Sequence, residues 1–329
     1  MTENWNLLGH AWAVDMLRHH AASHSPSHAY IFAGRSGVGR RTLAVRFAQA
    51  LNCSQQVAPG VPCGGVCQDC RQMEAMRHPD LLVVQAEAEG GKLKVEQVRE
   101  ARRFLNLRPY QSSYRVALFL RFQEANDNAA NALLKMLEEA PSYAILILTA
   151  DSAEGLLPTV ASRCEVLRLH PLPLEEVAAL LRQRGTDEVH ARLISHVSGG
   201  RPGLALRLLE DSSALDYRAE KLTELDGLLG ATRAQKFAYA ERLGKDRRGM
   251  RGVLQLWLSF WRDVMWRASG ASAPLTNVDR EHQIDSLARR VGLPVARRLV
   301  SDLDKAIGQL EASVNARLLA EVLLLDWPR

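Results

Sequence analysis

Five short apolar runs punctuate the first half of the chain: Ala29-Tyr-Ile-Phe-Ala33, Asp80-Leu-Leu-Val-Val84, Val116-Ala-Leu-Phe-Leu120, Ala144 to Thr149, and Glu165-Val-Leu-Arg-Leu169. Each is too short for a helix and is rich in β-branched, aromatic or leucine residues, so each predicts a strand. Between them the apolar positions recur at intervals of three and four. Leu43, Phe47, Ala50 and Leu51 share one face of a segment over 41–51, and Val95, Val98, Ala101 and Leu105 do so over 95–105. A third such segment runs from Asn128 to Glu139, with Asp127 expected as N-cap and Pro141 just beyond its end. Strands that are apolar on both faces and separated by helices predict a mainly parallel sheet covered on both sides.

The pattern changes at His170-Pro-Leu-Pro173, after which no strand period recurs. Helical spacing covers Glu175 to Arg184 and Glu188 to Val197. A glycine-rich break, Gly199-Gly-Arg-Pro-Gly203, precedes a third helix to about Leu209. A second boundary falls near Asp211-Ser-Ser213, and about five further helices are expected to the end of the chain. In one of them Val253, Leu256, Trp257, Phe260, Trp261, Val264 and Met265 form a continuous stripe, read first as core and second as a subunit interface. The expected organisation is an α/β domain over 1–170, a small helical domain over 171–212 and an all-helical domain over 213–329.

Length and composition sharpen this picture. The chain has 329 residues, about twice the usual domain length, which fits several domains. With 47% hydrophobic and 24% charged residues it is not a disordered chain, a collagen or a coiled-coil rod. Its longest apolar runs fall well short of the ~18 residues a membrane span needs. The opening Met1-Thr-Glu-Asn-Trp-Asn has neither the basic start nor the apolar stretch of a secretion signal, so a cytoplasmic location is expected. A net charge of +5 raises the question of nucleic acid. The excess is spread evenly, however: 18 basic against 16 acidic residues over 1–170 and 24 against 21 thereafter. No basic tail or half exists to serve as a dedicated polyanion-binding segment. The ten histidines show no ligand spacing, and His19, His20 and His24 are read as solvated.

Candidate chemistry begins at Gly34-Arg-Ser-Gly37-Val-Gly39-Arg40-Arg41-Thr42, between a strand and a helix. The phosphate-loop pattern is G-x-x-x-x-G-K-S/T in that setting, where backbone N–H groups at a helix N-terminus face phosphate. Gly34 and Gly39 have the right separation and Gly37 adds backbone freedom. Arg40 stands at the lysine position and Arg41 at the position of the hydroxyl that would hold Mg²⁺. Thr42 cannot substitute, because one residue along a helix turns the side chain by about 100°. ATPases of this kind place an acidic pair at the end of a second strand, for Mg²⁺ and for water. Counting back from Asn131 puts those roles at Leu120 and Arg121, neither of them acidic. The loop is therefore expected to keep its fold at Gly34, Gly37, Gly39 and Arg40 while losing Mg-ATP hydrolysis.

Four of the five cysteines lie close together as Cys53-x₉-Cys63-x₃-Cys67-x₂-Cys70, with Gly60, Pro62, Gly64 and Gly65 supplying tight loops. Four soft thiolates favour one structural Zn²⁺ with a closed ligand set. A redox pair, an iron–sulfur cluster and unrelated surface cysteines are the other readings of this spacing.

These features, in order, resemble the bacterial DNA polymerase III clamp loader, an AAA+ family. Leu7-Leu-Gly9-His10 is similar to its opening segment and His28-Ala-Tyr-Ile-Phe-Ala-Gly34 to its strand into the phosphate loop. Ala129-Ala-Asn131-Ala-Leu-Leu-Lys135-Met-Leu-Glu138-Glu139-Ala-Pro141 is close to the family's AANALLKxLEEPP, with Ala140 for a proline. Leu157-Pro-Thr159-Val-Ala-Ser162-Arg163-Cys164 resembles LLPTxxSRC, and Ser313-Val-Asn315-Ala-Arg317-Leu-Leu-Ala-Glu321 resembles NVNPRLxxE, with Ser313 and Ala316 as departures. Within the family the degenerate loop resembles the delta-prime type and not the gamma/tau motor. The motor's sensor arginine falls at Gly203 when aligned through Gly200 and Ala205, and Gly200-Arg-Pro202-Gly203 is similar to the GSPG of delta-prime subunits.

The resemblance implies a specific division of labour. The first domain would be AAA+ with an inserted zinc module at about 53–70, the second its lid and the third the collar that joins subunits. Arg163 would be an arginine finger offered in trans to the ATP site of a neighbouring gamma/tau subunit. The chain would have no activity alone and would belong to the polymerase III holoenzyme by complex membership. Its partners would be gamma/tau and delta, with the beta sliding clamp and primed DNA reached through the complex. The alternatives are an ATP-binding or ATP-hydrolysing gamma/tau-like subunit and a zinc-containing DNA-binding AAA+ module.

Overall fold

A computed structural model describes residues 5–88, 91–311 and 314–328, so Met1 to Asn4 and the Ser313 departure lie outside the described residues. The chain forms two compact units. One runs to Leu172 and includes Arg201–Leu204; the other holds Pro173–Gly200 and everything from Ala205.

The first unit alternates helices and strands: α1 (Ala11–Ala22), β1 (Ala29–Ala33), α2 (Arg40–Asn52), α3 (Gln68–Glu74), β2 (Leu81–Val84), α4 (Val95–Leu105), β3 (Arg115–Phe119), α5 (Asp127–Glu138), β4 (Ala144–Ala150), α6 (Pro158–Ala161) and β5 (Glu165–Arg168). The strands make one sheet in the order β2-β3-β4-β1-β5, with every pairing parallel. β1, β3 and β4 are buried at every position. Their side chains alternate between two apolar layers, as a doubly covered sheet requires. Tyr30 and Phe32 join Leu43 and Phe47 of α2 on one face, while Ile31 and Phe119 join Val98 of α4 and Leu133 of α5 on the other.

Three local expectations are adjusted. β3 spans Arg115–Phe119, so Leu120 follows the strand. The N-cap of α5 is Asn126, whose carboxamide oxygen accepts the Ala129 N–H at 2.8 Å, and Asp127 becomes an acidic first-turn residue beside the positive end of the helix. His20 is half-buried: its Nδ1 lies 2.9 Å from the Tyr30 hydroxyl and 3.7 Å from Glu165.

The second unit is helical among the described residues: α7 (Leu174–Gln183), α8 (Glu188–Ser198), α9 (Pro202–Glu210, whose first turn belongs to the first unit), α10 (Ser213–Leu229), α11 (Arg233–Leu243), α12 (Arg247–Ala268), α13 (Glu281–Glu311) and α14 (Ala316–Leu325). α13 is broken at Gly292 (φ 69°, ψ 170°), two residues before Pro294. Proline lacks an N–H and crowds the preceding turn, which accounts for the break. The aromatic stripe of α12 is core: Trp257, Phe260 and Trp261 have no exposed surface, and Trp327 packs edge-on to Trp257 with ring centroids 4.9 Å apart. No described helix is long and apolar enough to cross a membrane.

One buried carboxylate fixes the entry to β2. Asp80 has no exposed surface, and it accepts the backbone N–H groups of Tyr110 (2.7 Å), Gln111 (2.9 Å) and Ser112 (3.0 Å). Arg115 Nε adds a contact at 3.3 Å. Burial works against the charge, but the amides of Gln111, Tyr110 and Ser112 and the Arg115 guanidinium overcome it and hold the carboxyl below the ordinary range. A depressed carboxyl contributes stability at neutral pH that is lost as pH falls through its folded-state value. Asp80→Asn is therefore expected to cost about 3 kcal/mol at pH 7. The variant should also be less acid-sensitive than the parent below about pH 4. Urea unfolding at pH 7 and pH 3.5 checks both.

Candidate functional site

The glycine-rich loop leaves the C-terminal end of β1, and its first residue has no alternative. Gly34 has φ 152°, and a Cβ there would stand 2.3 Å from the Leu169 carbonyl oxygen just past β5. Gly39, at φ 114°, is the N-cap of α2 and supplies no side-chain cap, so the first-turn N–H groups of the helix open onto the loop. The carbonyl of Gly37 accepts the Gly203 N–H at 2.8 Å, and a Cβ on Gly203 would lie 3.0 Å from the same oxygen. The position aligned with the motor's sensor arginine thus carries no side chain and rests directly on the loop.

Arg40 is folded into the site. Its side chain is 8% exposed, and Nη2 lies 2.9 Å from Asp151 Oδ1, just beyond β4. Burial lowers its pKa, Asp151 opposes that, and the nearby positive charge of Arg121 adds to the lowering. Arg121 adopts a left-handed backbone (φ 53°), donates its N–H to Thr149 Oγ1 at 2.9 Å and pairs with Glu124 Oε1 at 2.9 Å. Two guanidinium groups therefore occupy the region where a phosphate-loop ATPase presents lysine, hydroxyl and acidic groups. Each is neutralised by a carboxylate of its own unit. The motif search did not find Asp151. An acidic residue immediately after a strand that ends beside the loop was the available signal.

Arg163 lies between α6 and β5. Its side chain is 41% exposed; Nη2 is 3.0 Å from Glu138 Oε1 and Nη1 donates to the Thr159 carbonyl at 3.1 Å. Ser162 Oγ donates to the same carbonyl at 3.2 Å. Cys164 is partly covered by the lower apolar layer, and burial pushes its thiol up to about 12. Arg163 does not meet the glycine loop. β1 and β5 are parallel, with Tyr30 opposite Glu165 and Ala33 opposite Arg168, so loop and arginine stand at opposite ends of the sheet.

The four cysteines converge between α2 and β2. Their sulfur atoms all lie within 4.8 Å of one another, and Cys53 and Cys67 sulfurs are 3.8 Å apart. A tetrahedral ion with Zn–S bonds of about 2.3 Å requires sulfur separations of about 3.8 Å. Backbone N–H groups of Cys63, Cys67 and Cys70 donate to the sulfurs of Cys53, Cys63 and Cys67 at 3.3, 3.2 and 3.3 Å. Such donors suit thiolate ligands. Burial raises the Cys63 thiol, but the Cys67 amide and its neighbours outweigh this and bring it to about 6; burial and the neighbouring thiols drive Cys70 upward. The group can hold a metal ion, with protons released on binding and no open coordination position.

Comparison with known proteins is consistent along the chain. Residues 9–173 match the family described as DNA polymerase III, delta subunit, and residues 213–329 match the C-terminal domain of the DNA polymerase III delta subunit. The chain is 36% identical over 187 residues to the DNA polymerase III subunit delta′ of Pseudomonas aeruginosa, covering 55% of this chain and 56% of that protein. It is 26% identical over 308 residues to the subunit delta′ of Bacillus subtilis, covering 91% and 90%. In fold it is similar to a DNA polymerase III gamma subunit-related protein of Thermotoga maritima, with a TM-score of 0.50, 20% identity and coverage of 95% and 97%. Purified chain is expected to carry about one metal ion, and Cys70→Ser, which removes the most buried thiol, should reduce this to near zero. Inductively coupled plasma mass spectrometry on both proteins checks it.

Proposed function

Since the chain belongs to the DNA polymerase III delta-subunit family, in the delta-prime branch of the AAA+ clamp loader, we propose that it serves as a non-hydrolysing subunit of that loader. In this reading it joins gamma/tau and delta in the cytoplasm and presents Arg163 to an adjacent gamma/tau ATP site. It shares in placing the beta sliding clamp on primed DNA. It has no catalytic activity of its own.

The observation that carries the reading is the pair of self-neutralised cations, Arg40 with Asp151 and Arg121 with Glu124. Mg²⁺ needs oxygen ligands and phosphoryl transfer needs the metal. The carboxylates nearest the loop are committed to arginines, so neither half of a hydrolytic site is available. Gly34, Gly37 and Gly39 keep the loop's shape, and Arg40 fills it.

The finger role draws on position. About 13 Å of strand separates the two ends of β5, and Arg163 lies at the end away from its own loop. An arginine placed there is far from its own loop and open to another molecule. Its present partner, Glu138, has a side chain 53% exposed, and such pairs are worth under about 1 kcal/mol. The guanidinium can leave it for a γ-phosphate, which it would grip in two places as charge develops. The collar role draws on α14, where Leu318 (57%) and Val322 (56%) stand exposed four residues apart on one helix face. For the cysteine centre we take Zn²⁺ as a structural ion held by Cys53, Cys63, Cys67 and Cys70; bound there it would cross-link the loop and supply no catalysis.

A second reading, retention of nucleotide without hydrolysis, draws on Arg40 Nη1, which is buried with no hydrogen-bond partner. Isothermal titration of the isolated chain with Mg-ATP separates the two: the leading reading expects no binding below millimolar concentration. In a reconstituted loader, Arg163→Ala is expected to slow clamp- and DNA-stimulated ATP turnover by at least tenfold while the subunits still co-elute on gel filtration. Unchanged turnover would remove Arg163 from the ATP site.

A further inference from the structure

The residues beside the metal ligands grip a distant segment of chain. Asn52 precedes Cys53; its carboxamide oxygen accepts the Tyr114 N–H at 2.9 Å and its Nδ2 donates to the Tyr114 carbonyl at 3.0 Å. Asp69 precedes Cys70 in the first turn of α3. Its Oδ2 accepts the hydroxyl of Ser54, the residue after Cys53, at 2.8 Å, and its Oδ1 faces His78 Nε2 at 3.5 Å and the Gln111 side-chain amide at 3.2 Å. The His78 side chain is wholly buried. Its Nδ1 accepts the Asp80 N–H at 3.0 Å, and its Nε2 lies 3.0 Å from the Gln111 side-chain nitrogen and 3.4 Å from the Ser112 hydroxyl. Both ends of segment 110–114 are thus held from positions adjacent to ligands.

From this juxtaposition we propose that the metal centre is a conformational clamp for residues 110–114. The ion ties the end of α2, through Cys53, to the start of α3, through Cys67 and Cys70. That linkage sets the distance between Asn52 and Asp69, and these two residues hold the segment at its far and near ends. Gln49 of α2, 1% exposed, reinforces the tie by donating to the Cys70 carbonyl at 2.8 Å. Without the ion the thiols add only weak S–H contacts, and Gln49 on the Cys70 carbonyl, Arg46 on Glu74 (2.6 Å) and Ser54 on Asp69 remain as the ties across this corner. The spacing of Asn52 and Asp69 is then less tightly set. Asp80 continues to hold the amides of 110–112 from the sheet side, so the loosening is greatest at Tyr114 and at the Gln111 side chain. His78 and Asn52 are positioning residues in this scheme: they touch no metal. The segment leads directly into β3.

The proposal rests on the metal reading of the cysteines, and one experiment separates the two. Hydrogen–deuterium exchange is measured on metal-loaded chain and on chain stripped with a thiol-blocking mercurial, chelator and reductant, with metal content determined on the same samples. Removal is expected to speed exchange in the peptide covering 106–114 at least tenfold while peptides from β1 and β4 stay slow. Asn52→Ala and His78→Ala, each with one equivalent of metal still bound, should speed exchange at 110–114 without touching the sulfurs. Exchange at 110–114 that is unchanged on metal loss overturns the clamp and leaves the metal site standing. A chain that takes up no metal overturns both. If stripping also loosens β1 and β4, the metal-loaded variants decide, and unchanged exchange in both of them rejects the coupling.

Discussion

The contact between Gly34 and the Leu169 carbonyl governs the geometry of the first unit. β1 lies between β4 and β5 and is buried on both faces, so the chain can leave it only at the sheet edge, beside the end of β5. With a Cβ position 2.3 Å from that carbonyl, only glycine makes the exit. From that point the loop turns tightly into α2, and α2 delivers Cys53 at its far end to the metal centre. The same exit brings Arg40 against Asp151, because β4 ends beside β1 in parallel register. Loop, guanidinium pair and cysteine centre are consequences of one close packing.

Much of this architecture was legible in the residue pattern. The fully apolar strands announced a doubly covered parallel sheet because nothing else buries both faces of Tyr30-Ile-Phe32. The aromatic spacing of α12 found the core of the helical unit, since Trp257 and Trp261, one turn apart, share a single apolar helix face and are both fully buried. The ends of elements were less visible. Asn126 and Asp127 are both competent caps, and the choice between them depends on where the chain leaves the short turn after Arg121, which is set by tertiary contact with Thr149. His20 read as solvated because it belongs to a run of histidines that straddles a helix and a loop without ligand spacing. Its actual neighbours, Tyr30 and Glu165, come from strands of the sheet.

The candidate sites show the same limit. Spacing nominated the loop and the four cysteines, and resemblance to a family motif nominated Arg163, each from residues close in sequence. It could not show that Arg40 is paired with Asp151, more than a hundred residues on, or that Asn52 and Asp69 reach across to segment 110–114. Long-range partners of a polar residue leave no periodic trace, so a sequence reports which chemistry has been lost more readily than what replaced it. The replacement is informative. At position 40 it is a buried arginine, paired with the Asp151 carboxylate beyond β4.

The fold of the glycine loop has a physical cause of its own in the packing around it. The Gly203 N–H donates to the Gly37 carbonyl, and Arg201–Leu204 belong to the sheet unit although the chain on either side of them does not. Gly203 thus rests on the loop within the sheet unit, backbone against backbone. A turn that must stay tight to receive a backbone amide calls for Gly34 against the Leu169 carbonyl and for the positive φ of Gly37 and Gly39, whatever stands at positions 40 and 41.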